Sequence, residues 1–245
     1  MELDLNVDIG EGFPFDRQLL NWVSSASIAC GGHAGSSALM EETVDACLGR
    51  GVRIGAHPGY PDPDNFGRQP LAMDPALLLE SLCEQLAQLD GICRSRDARL
   101  AYVKPHGALY NQAVNDRPLA QLICRAIKCV VPHAALMGLA GSPMLTVAAE
   151  AELAVIREGF LDRLYRHAGA LVPRSEPGAL LCGDEAVRAQ LTALARDRVI
   201  LGQDGISHPI QVDSLCLHGD SPNALERAQL VHNHLTKLGF SLPQY

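Results

Sequence analysis

Short apolar runs alternate with longer stretches of helical periodicity along this chain, and that alternation limits the fold more than any other feature. The runs are Leu3–Val7, Ser27–Cys30, Val52–Gly55, Leu100–Val103, Ala134–Met137, Leu153–Ile156 and Ser214–Leu217. Most lack a clean period of two, as expected for strands covered on both faces. Between them, Leu78, Leu82, Leu86, Leu89 and Cys93 recur at three- and four-residue steps and form one apolar stripe. Asp74 and Pro75 supply the start signal for that helix, and Ser142-Pro143 and Ser221-Pro222 repeat it. Further helices are expected over Ser37–Gly49, Pro118–Val130 and Asp184–Arg196, and a last one from Leu225 to a left-handed stop at Gly239. Val199–Val212 breaks the rhythm and reads as two short strands around Gln203-Asp204-Gly205.

Strands and helices in alternation imply an α/β fold with a mostly parallel sheet. The sheet either closes into a barrel or stays open and doubly wound. The 245 residues suit a single α/β barrel, so one domain over 1–245 is expected, with no linker. Twenty Lys and Arg against 28 Asp and Glu give a net charge of −8 without a basic cluster, which argues against nucleic acid as a partner. No apolar run approaches the roughly 20 residues that cross a bilayer. The opening MELDLNVD has no secretory character, so a cytoplasmic location is expected. The eight cysteines (Cys30, Cys47, Cys83, Cys93, Cys124, Cys129, Cys182, Cys216) form no C-x-x-C pair and read as buried, reduced thiols.

The polar residues that carry chemistry follow the apolar runs. They are Asn6, Asp8 and Glu11; His33; His57; Lys104, His106 and Tyr110; Asp162 and Arg163; and His218 and Asp220. In parallel α/β folds the loops after strand C-termini meet on one face, and sites form there. Lys104 ends an apolar run, so its ammonium is expected inside the site. Arg68, Arg163 and Arg174 are the residue type that clamps carboxylate or phosphate, and equally the type that forms ordinary ion pairs. His133 and His167 read as structural, and His232 and His234 as surface residues. Asp8, His33, His57, His106, His218 and Asp220 are suitable metal ligands, but no compact metal motif is present and no metal is predicted. Phosphate-loop, dinucleotide-binding and nucleophile-elbow motifs are absent from the sequence.

Six longer stretches carry a resemblance: LNVDIGEGF, SIACGGHAG, IGAHPGYPDPDNFGR, YVKPHGALYN, EGFLDRLY with LVPRSEPGAL, and LCLHGDSP. In order and spacing they resemble the lactam-utilisation (LamB/YcsF-like) family, which comprises the A subunits of 5-oxoprolinases. The resemblance covers nearly the whole chain. It implies a seven-stranded parallel β/α barrel of the glycoside hydrolase/deacetylase type. It implies ATP-dependent opening of the 5-oxoproline ring to L-glutamate, with Mg accompanying the nucleotide and no tightly bound organic cofactor. It also implies partner subunits B and C. Three positions depart from the family pattern: Val7 stands where Cys is usual, Gly32 where a bulkier residue is usual, and Ala168-Gly169 where Asp-Gly is common.

Lactam hydrolysis needs a base for water, an acid for the leaving nitrogen and donors for the oxyanion. Asp8 or His57 is the expected base, and His33 or His106 the expected acid. Lys104 is the expected oxyanion donor. Asn6, Glu11, Arg68, Tyr110, Asp162, Arg174 and His218 are the expected substrate-binding residues, with Arg68 or Arg174 clamping the carboxylate. A stand-alone metal-dependent amide hydrolase or deacetylase, and a non-catalytic 5-oxoproline-binding subunit, are the alternatives.

Overall fold

The computed structural model describes residues 1–245 apart from Ser175, Cys182 and Pro222. The expected buried thiol at Cys182 and the Pro222 half of the second Ser-Pro signal therefore lie outside the described residues. In chain order the elements are β1 (Asp4–Ile9), α1 (Asp16–Leu19), β2 (Ser25–Ala29), α2 (Ser37–Leu48), β3 (Arg53–His57), α3 (Pro75–Arg94), β4 (Tyr102–Val103), α4 (Gly107–Ala113), α5 (Arg117–Val130), β5 (Ala135–Leu139), α6 (Pro143–Glu150) and β6 (Val155–Phe160). They continue with β7 (Tyr165–His167), β8 (Ala170–Leu171), α7 (Asp184–Thr192), β9 (Val199–Leu201), β10 (Ser207–Pro209), β11 (Ser214–Leu217) and α8 (Ala224–Lys237).

Seven strands close into a barrel in the order β1-β11-β6-β5-β4-β3-β2, and every barrel pairing is parallel. This decides for the barrel over the open sheet. The sequence places the helical signals well. Asp74 accepts from the N–H groups of Ala76 and Leu77, and Gly239 adopts φ +84° after α8. The excursion around Gln203-Asp204-Gly205 is the antiparallel pair β9–β10. A second hairpin, β7–β8, has no counterpart among the expected strands. Its turn at Ala168-Gly169 requires glycine: Gly169 has φ +81°, and a Cβ there would lie 2.4 Å from the Gly141 carbonyl oxygen. Helix α7 ends at Thr192 and continues as a π-helical turn to Asp197.

The strand ends differ from the expectation in one consistent way. Strands β1, β3, β5 and β6 run two or more residues further toward their C-termini than the apolar runs suggest. The extra residues include Asp8, His57 and Glu158, which are buried charged or polar groups inside strands. In β1 the even positions Asp4, Asn6 and Asp8 face the barrel axis, while Leu5, Val7 and Ile9 join the apolar layer under the helices.

The bottom of the barrel is closed by polar groups. Asp4 accepts from Ser24 Oγ (2.7 Å), Ser25 Oγ (2.5 Å), Ser214 Oγ (2.5 Å) and Arg53 Nη2 (2.9 Å). Tyr102 fills the interior above them, and a Cβ on Gly55 would lie 2.2 Å from its ring. Among the described residues, no helix is long and apolar enough to cross a membrane.

Not every cysteine or histidine lies where the sequence suggests. Cys129 on α5 is exposed, and Cys83 on α3 is half-buried against the core. His232 and His234 are half-buried rather than surface residues. His232 packs edge-on against Trp22, and His234 Nε2 lies 2.9 Å from Thr192 Oγ1.

Candidate active site

The C-terminal ends of the barrel strands surround a cleft of about 760 Å³. Lys104, placed directly after β4, lines it and is buried. The ammonium donates to Asp8 Oδ1 (2.8 Å), Asn6 Oδ1 (3.1 Å) and Cys216 Sγ (3.2 Å), and lies 2.7 Å from Glu158 Oε1. Burial alone would strip the proton from such a lysine, but Asp8, Cys216 and Glu158 around it outweigh that and hold its pKa above the usual range. Burial likewise would raise the Asp8 carboxyl. His57 and Lys104 more than offset it, so Asp8 stays an anion. Glu158 Oε2 accepts from the Tyr110 hydroxyl at 2.8 Å.

Beside this network three imidazoles converge from β2, β3 and β4. His33 follows β2, and its ring stacks on His106 with centroids 3.6 Å apart and planes 5° from parallel. His57 ends β3, and its Nε2 lies 3.0 Å from His106 Nδ1 and 3.4 Å from Asp8 Oδ2. A carbonyl oxygen only accepts. His57 Nδ1, 2.7 Å from the Lys104 carbonyl, therefore carries a proton, and so does His106 Nε2, 2.9 Å from the Phe66 carbonyl. Glu11 Oε1 lies 3.1 Å from His33 Nε2 and 3.7 Å from His106 Nδ1. Burial, with Asp8 nearby, pushes the Glu11 carboxyl up to about 9. Burial, with His57 nearby, pushes His106 down to about 3, and burial with both neighbouring imidazoles lowers His33 further.

Phe66 packs its ring against His33 and His106 and offers its carbonyl to His106 from a left-handed backbone, φ +54°. That conformation is strained for a bulky residue, and here it fixes the orientation of an imidazole.

On the far wall, His218 Nδ1 meets both oxygens of Asp162, at 2.9 and 2.8 Å. Burial raises the Asp162 carboxyl, but His218 and the nearby arginines outweigh it and keep it ionised. Arg163 is buried. Its Nη2 donates to the Val172 carbonyl at 2.7 Å, while its Nε has no hydrogen-bond partner among the described residues. Burial and Arg174 lower the Arg163 guanidinium to about 10. Arg68, Arg166 and Arg174 complete a cationic rim, with His167 beside them.

The expected residues thus divide. Asp8, Glu11, His57, Arg68, Lys104, His106, Tyr110, Arg174 and His218 line the cleft. Asn6, His33 and Asp162 stand behind it. Asn6 donates its amide to Ser214 Oγ and the Leu215 carbonyl and accepts from Lys104, so it positions the lysine and is corrected from a substrate contact to a support. Asp162 orients His218. Arg68 is paired with Asp220 at 2.5 Å, so it is not an unengaged clamp. His167 lines the cleft although it reads as structural. Glu158, Cys216 and Phe66 are site residues that the sequence reading misses. Glu158 alone carries a signal, a carboxylate within an otherwise mostly apolar segment at the end of a strand.

A model of the LamB/YcsF family matches residues 3–245. The chain belongs to the LamB/YcsF family. A relative from Haemophilus influenzae (strain PittGG), named as the A subunit of 5-oxoprolinase, is 44% identical over 236 residues, covering 96% of both chains. Another of that name in Neisseria meningitidis serogroup A is 43% identical over 241 residues, covering 98% of both. The crystal structure of a lactam utilization protein from Thermus thermophilus superposes with a TM-score of 0.92 at 34% identity, covering 100% of both chains. A family 4 carbohydrate esterase from Streptomyces lividans shares the fold alone, with a TM-score of 0.52 at 11% identity, covering 99% of this chain and 92% of that one.

Within this LamB/YcsF chain, two of the three departures have a physical account. Val7 points into the apolar layer, away from the cleft. At Gly32 the space of a larger side chain is taken by Gln85, whose Oε1 would lie 2.5 Å from a Cβ there. Gln85 Oε1 accepts from the Gly59 N–H (3.1 Å) and its Nε2 donates to the Gly59 carbonyl (2.9 Å), pinning the segment after His57.

Proposed function

We propose that this chain is the A component of an ATP-dependent 5-oxoprolinase, which hydrolyses 5-oxo-L-proline to L-glutamate as ATP goes to ADP and phosphate. The observation that carries the reading is the near full-length identity to proteins of that name, over a chain whose strand ends gather acid, base and cationic groups in one cleft.

A lactam amide is a poor electrophile. In the proposed sequence ATP phosphorylates the amide oxygen, and water adds to the ring carbon. The C–N bond then breaks, the nitrogen takes a proton, and the remaining acyl phosphate is hydrolysed by a second water. His57 suits the base. Its Nδ1–H is anchored on a backbone carbonyl, its Nε2 borders the cleft, and Asp8 at 3.4 Å stabilises the imidazolium that forms. The proton that His57 Nε2 takes from water is the one to deliver to nitrogen, with His106 Nδ1 3.0 Å away to share it. Lys104 is committed to Asn6, Asp8, Cys216 and Glu158, so its part is to keep Asp8 anionic. Arg163, Arg174 and Arg68 supply charge for the substrate carboxylate and the phosphorylated oxygen. Mg²⁺ accompanies the nucleotide, and subunits B and C complete the enzyme.

The test is glutamate formation from 5-oxoproline and ATP by this chain alone, by subunits B and C alone, and by the mixture. Turnover only in the mixture supports the assignment. No turnover in any of the three, with folded components, removes it. A binding-only role would differ in one respect: His57→Ala would lower 5-oxoproline affinity in proportion to rate.

A further inference from the structure

We propose that Glu11, His57 and His106 form a three-ligand site for a zinc-type divalent cation on the floor of the cleft, with His33 orienting the carboxylate and one imidazole. The positions of two protons locate it. His57 Nδ1 and His106 Nε2 both give their hydrogens to backbone carbonyls, so the second nitrogen of each ring carries its lone pair. Those two nitrogens, His57 Nε2 and His106 Nδ1, face each other at 3.0 Å. Two lone pairs at that separation repel each other, and a cation between them relieves the repulsion; a third donor converges on the same point.

That donor is Glu11, with Oε1 3.7 Å from His106 Nδ1; all the donor atoms lie within 4.8 Å of one another. Zinc bonds of about 2.0–2.2 Å in a tetrahedron separate ligand atoms by about 3.3–3.6 Å, so small side-chain shifts complete the site. His33 belongs to the same cluster but cannot be a ligand alongside His106. The two rings are parallel and 3.6 Å apart, so a cation in the plane of one lies far from the plane of the other. His33 instead meets Glu11 Oε1 at 3.1 Å, the contact of an outer partner that aims a ligand. The Lys104 and Phe66 carbonyls do the same for His57 and His106.

Exposure gives the same division. Glu11, His57 and His106 line the cleft, and His33 does not. Three protein ligands beside open space leave a fourth position for water or a substrate oxygen, the arrangement of reactive rather than structural zinc sites. Two imidazoles and one carboxylate suit Zn²⁺ or Co²⁺ and discriminate against Mg²⁺, which prefers oxygen and its own waters. The site is therefore chemically distinct from any Mg²⁺ that travels with a nucleotide.

The experiment is calorimetric titration of the chelator-treated full chain with Zn²⁺, Co²⁺ and Mg²⁺, together with the visible spectrum of the cobalt form. The expected result is one equivalent of Zn²⁺ or Co²⁺, strong tetrahedral ligand-field bands and no competition from Mg²⁺. His57→Ala and His106→Ala should each weaken binding by more than the roughly 10–100-fold that outer partners are worth. Glu11→Gln, nearly isosteric, should weaken binding and change the cobalt bands while leaving the circular dichroism intact. The proposal is overturned if the folded chain takes up no Zn²⁺ or Co²⁺, if the affinity is unchanged in Glu11→Gln and His57→Ala, or if Mg²⁺ binds equally well. No lactam, nucleotide or other subunit is present in these titrations. A cation and the base role proposed for His57 both use Nε2 and exclude each other, so a negative result leaves His57 free as the base, and a failure of ATP-dependent turnover leaves this site intact.

Discussion

Lys104 Nζ and Asp8 Oδ1 lie 2.8 Å apart in the middle of the barrel, with both residues buried. Replacing the lysine leaves Asp8 and Glu158 without their counter-charge, a change that costs about 3–5 kcal/mol when a buried pair is broken. Lys104→Met should therefore lower the urea midpoint steeply, and adding Glu158→Gln should recover part of the loss. A Lys104→Met variant as stable as the parent would show that the pair carries no net stability.

The same pair sets an acid limit. Asp8 is held below its unfolded value, so its contribution is complete above about pH 4 and is lost only as pH falls toward its lower folded value. In Lys104→Met that hold is relaxed, and the loss should begin at higher pH. Denaturation midpoints across the acid range for both proteins check this. Parallel curves would argue against it.

Arg174 and Arg68 both border the cleft, but Arg68 is already bound to Asp220. Arg174→Ala should raise KM for 5-oxoproline by about tenfold, equivalent to about 1.4 kcal/mol, with little change in kcat. Arg68→Ala should have the smaller effect. Steady-state kinetics of the assembled enzyme decide, and a larger effect at Arg68 would reverse the assignment of the carboxylate clamp.

Gly32 is crowded by Gln85 rather than by its own backbone. Gly32→Ala should destabilise by about 1–3 kcal/mol, the usual range for forcing extra atoms into a packed site. The penalty should shrink in a Gln85→Ala background, where the space is free. Equal penalties in both backgrounds, measured by thermal melts, would mean that Gln85 is not the cause.

Burial pushes the thiols of Cys30, Cys47 and Cys93 up to about 12 and that of Cys124 up to about 11. Near pH 8 they hold almost no thiolate, and iodoacetamide should leave them unmodified until the chain unfolds. Among the described cysteines, exposed Cys129 should react first. Peptide mapping after graded labelling reads the order, and early labelling of Cys30 would contradict the burial.

Much of this arrangement is legible in the residues. The strand–helix rhythm, the Asp74 cap and the placement of polar groups after apolar runs are local properties that survive into the fold. The convergence of His33, His57 and His106 is only partly readable, because spacing along separate loops carries no distance. Glu158 escapes because a carboxylate inside a strand looks like the start of a loop when its partner, Lys104, is unknown. In β1 the alternation Asp-Leu-Asn-Val-Asp-Ile is present in full, with the usual sense inverted: the barrel interior takes the polar residues and the helix layer the apolar ones. Family resemblance supplies the closed barrel, which periodicity alone leaves undecided.

The first and last barrel strands, β1 and β11, are hydrogen-bonded neighbours, yet about 200 residues of chain separate them. During synthesis one edge of β1 can pair with β2 early, but its other edge waits for β11 until nearly the whole polypeptide has emerged. Asp4 and Asn6 remain without Ser214, and Lys104 without Cys216, until that final strand docks. Contacts so distant in sequence make closure a slow step. Assembly of the cleft is thus tied to the end of folding: a nascent or C-terminally shortened chain would hold His33, His57 and His106 but lack Cys216 beside Lys104 and His218 beside Asp162, and could not act before the barrel is complete.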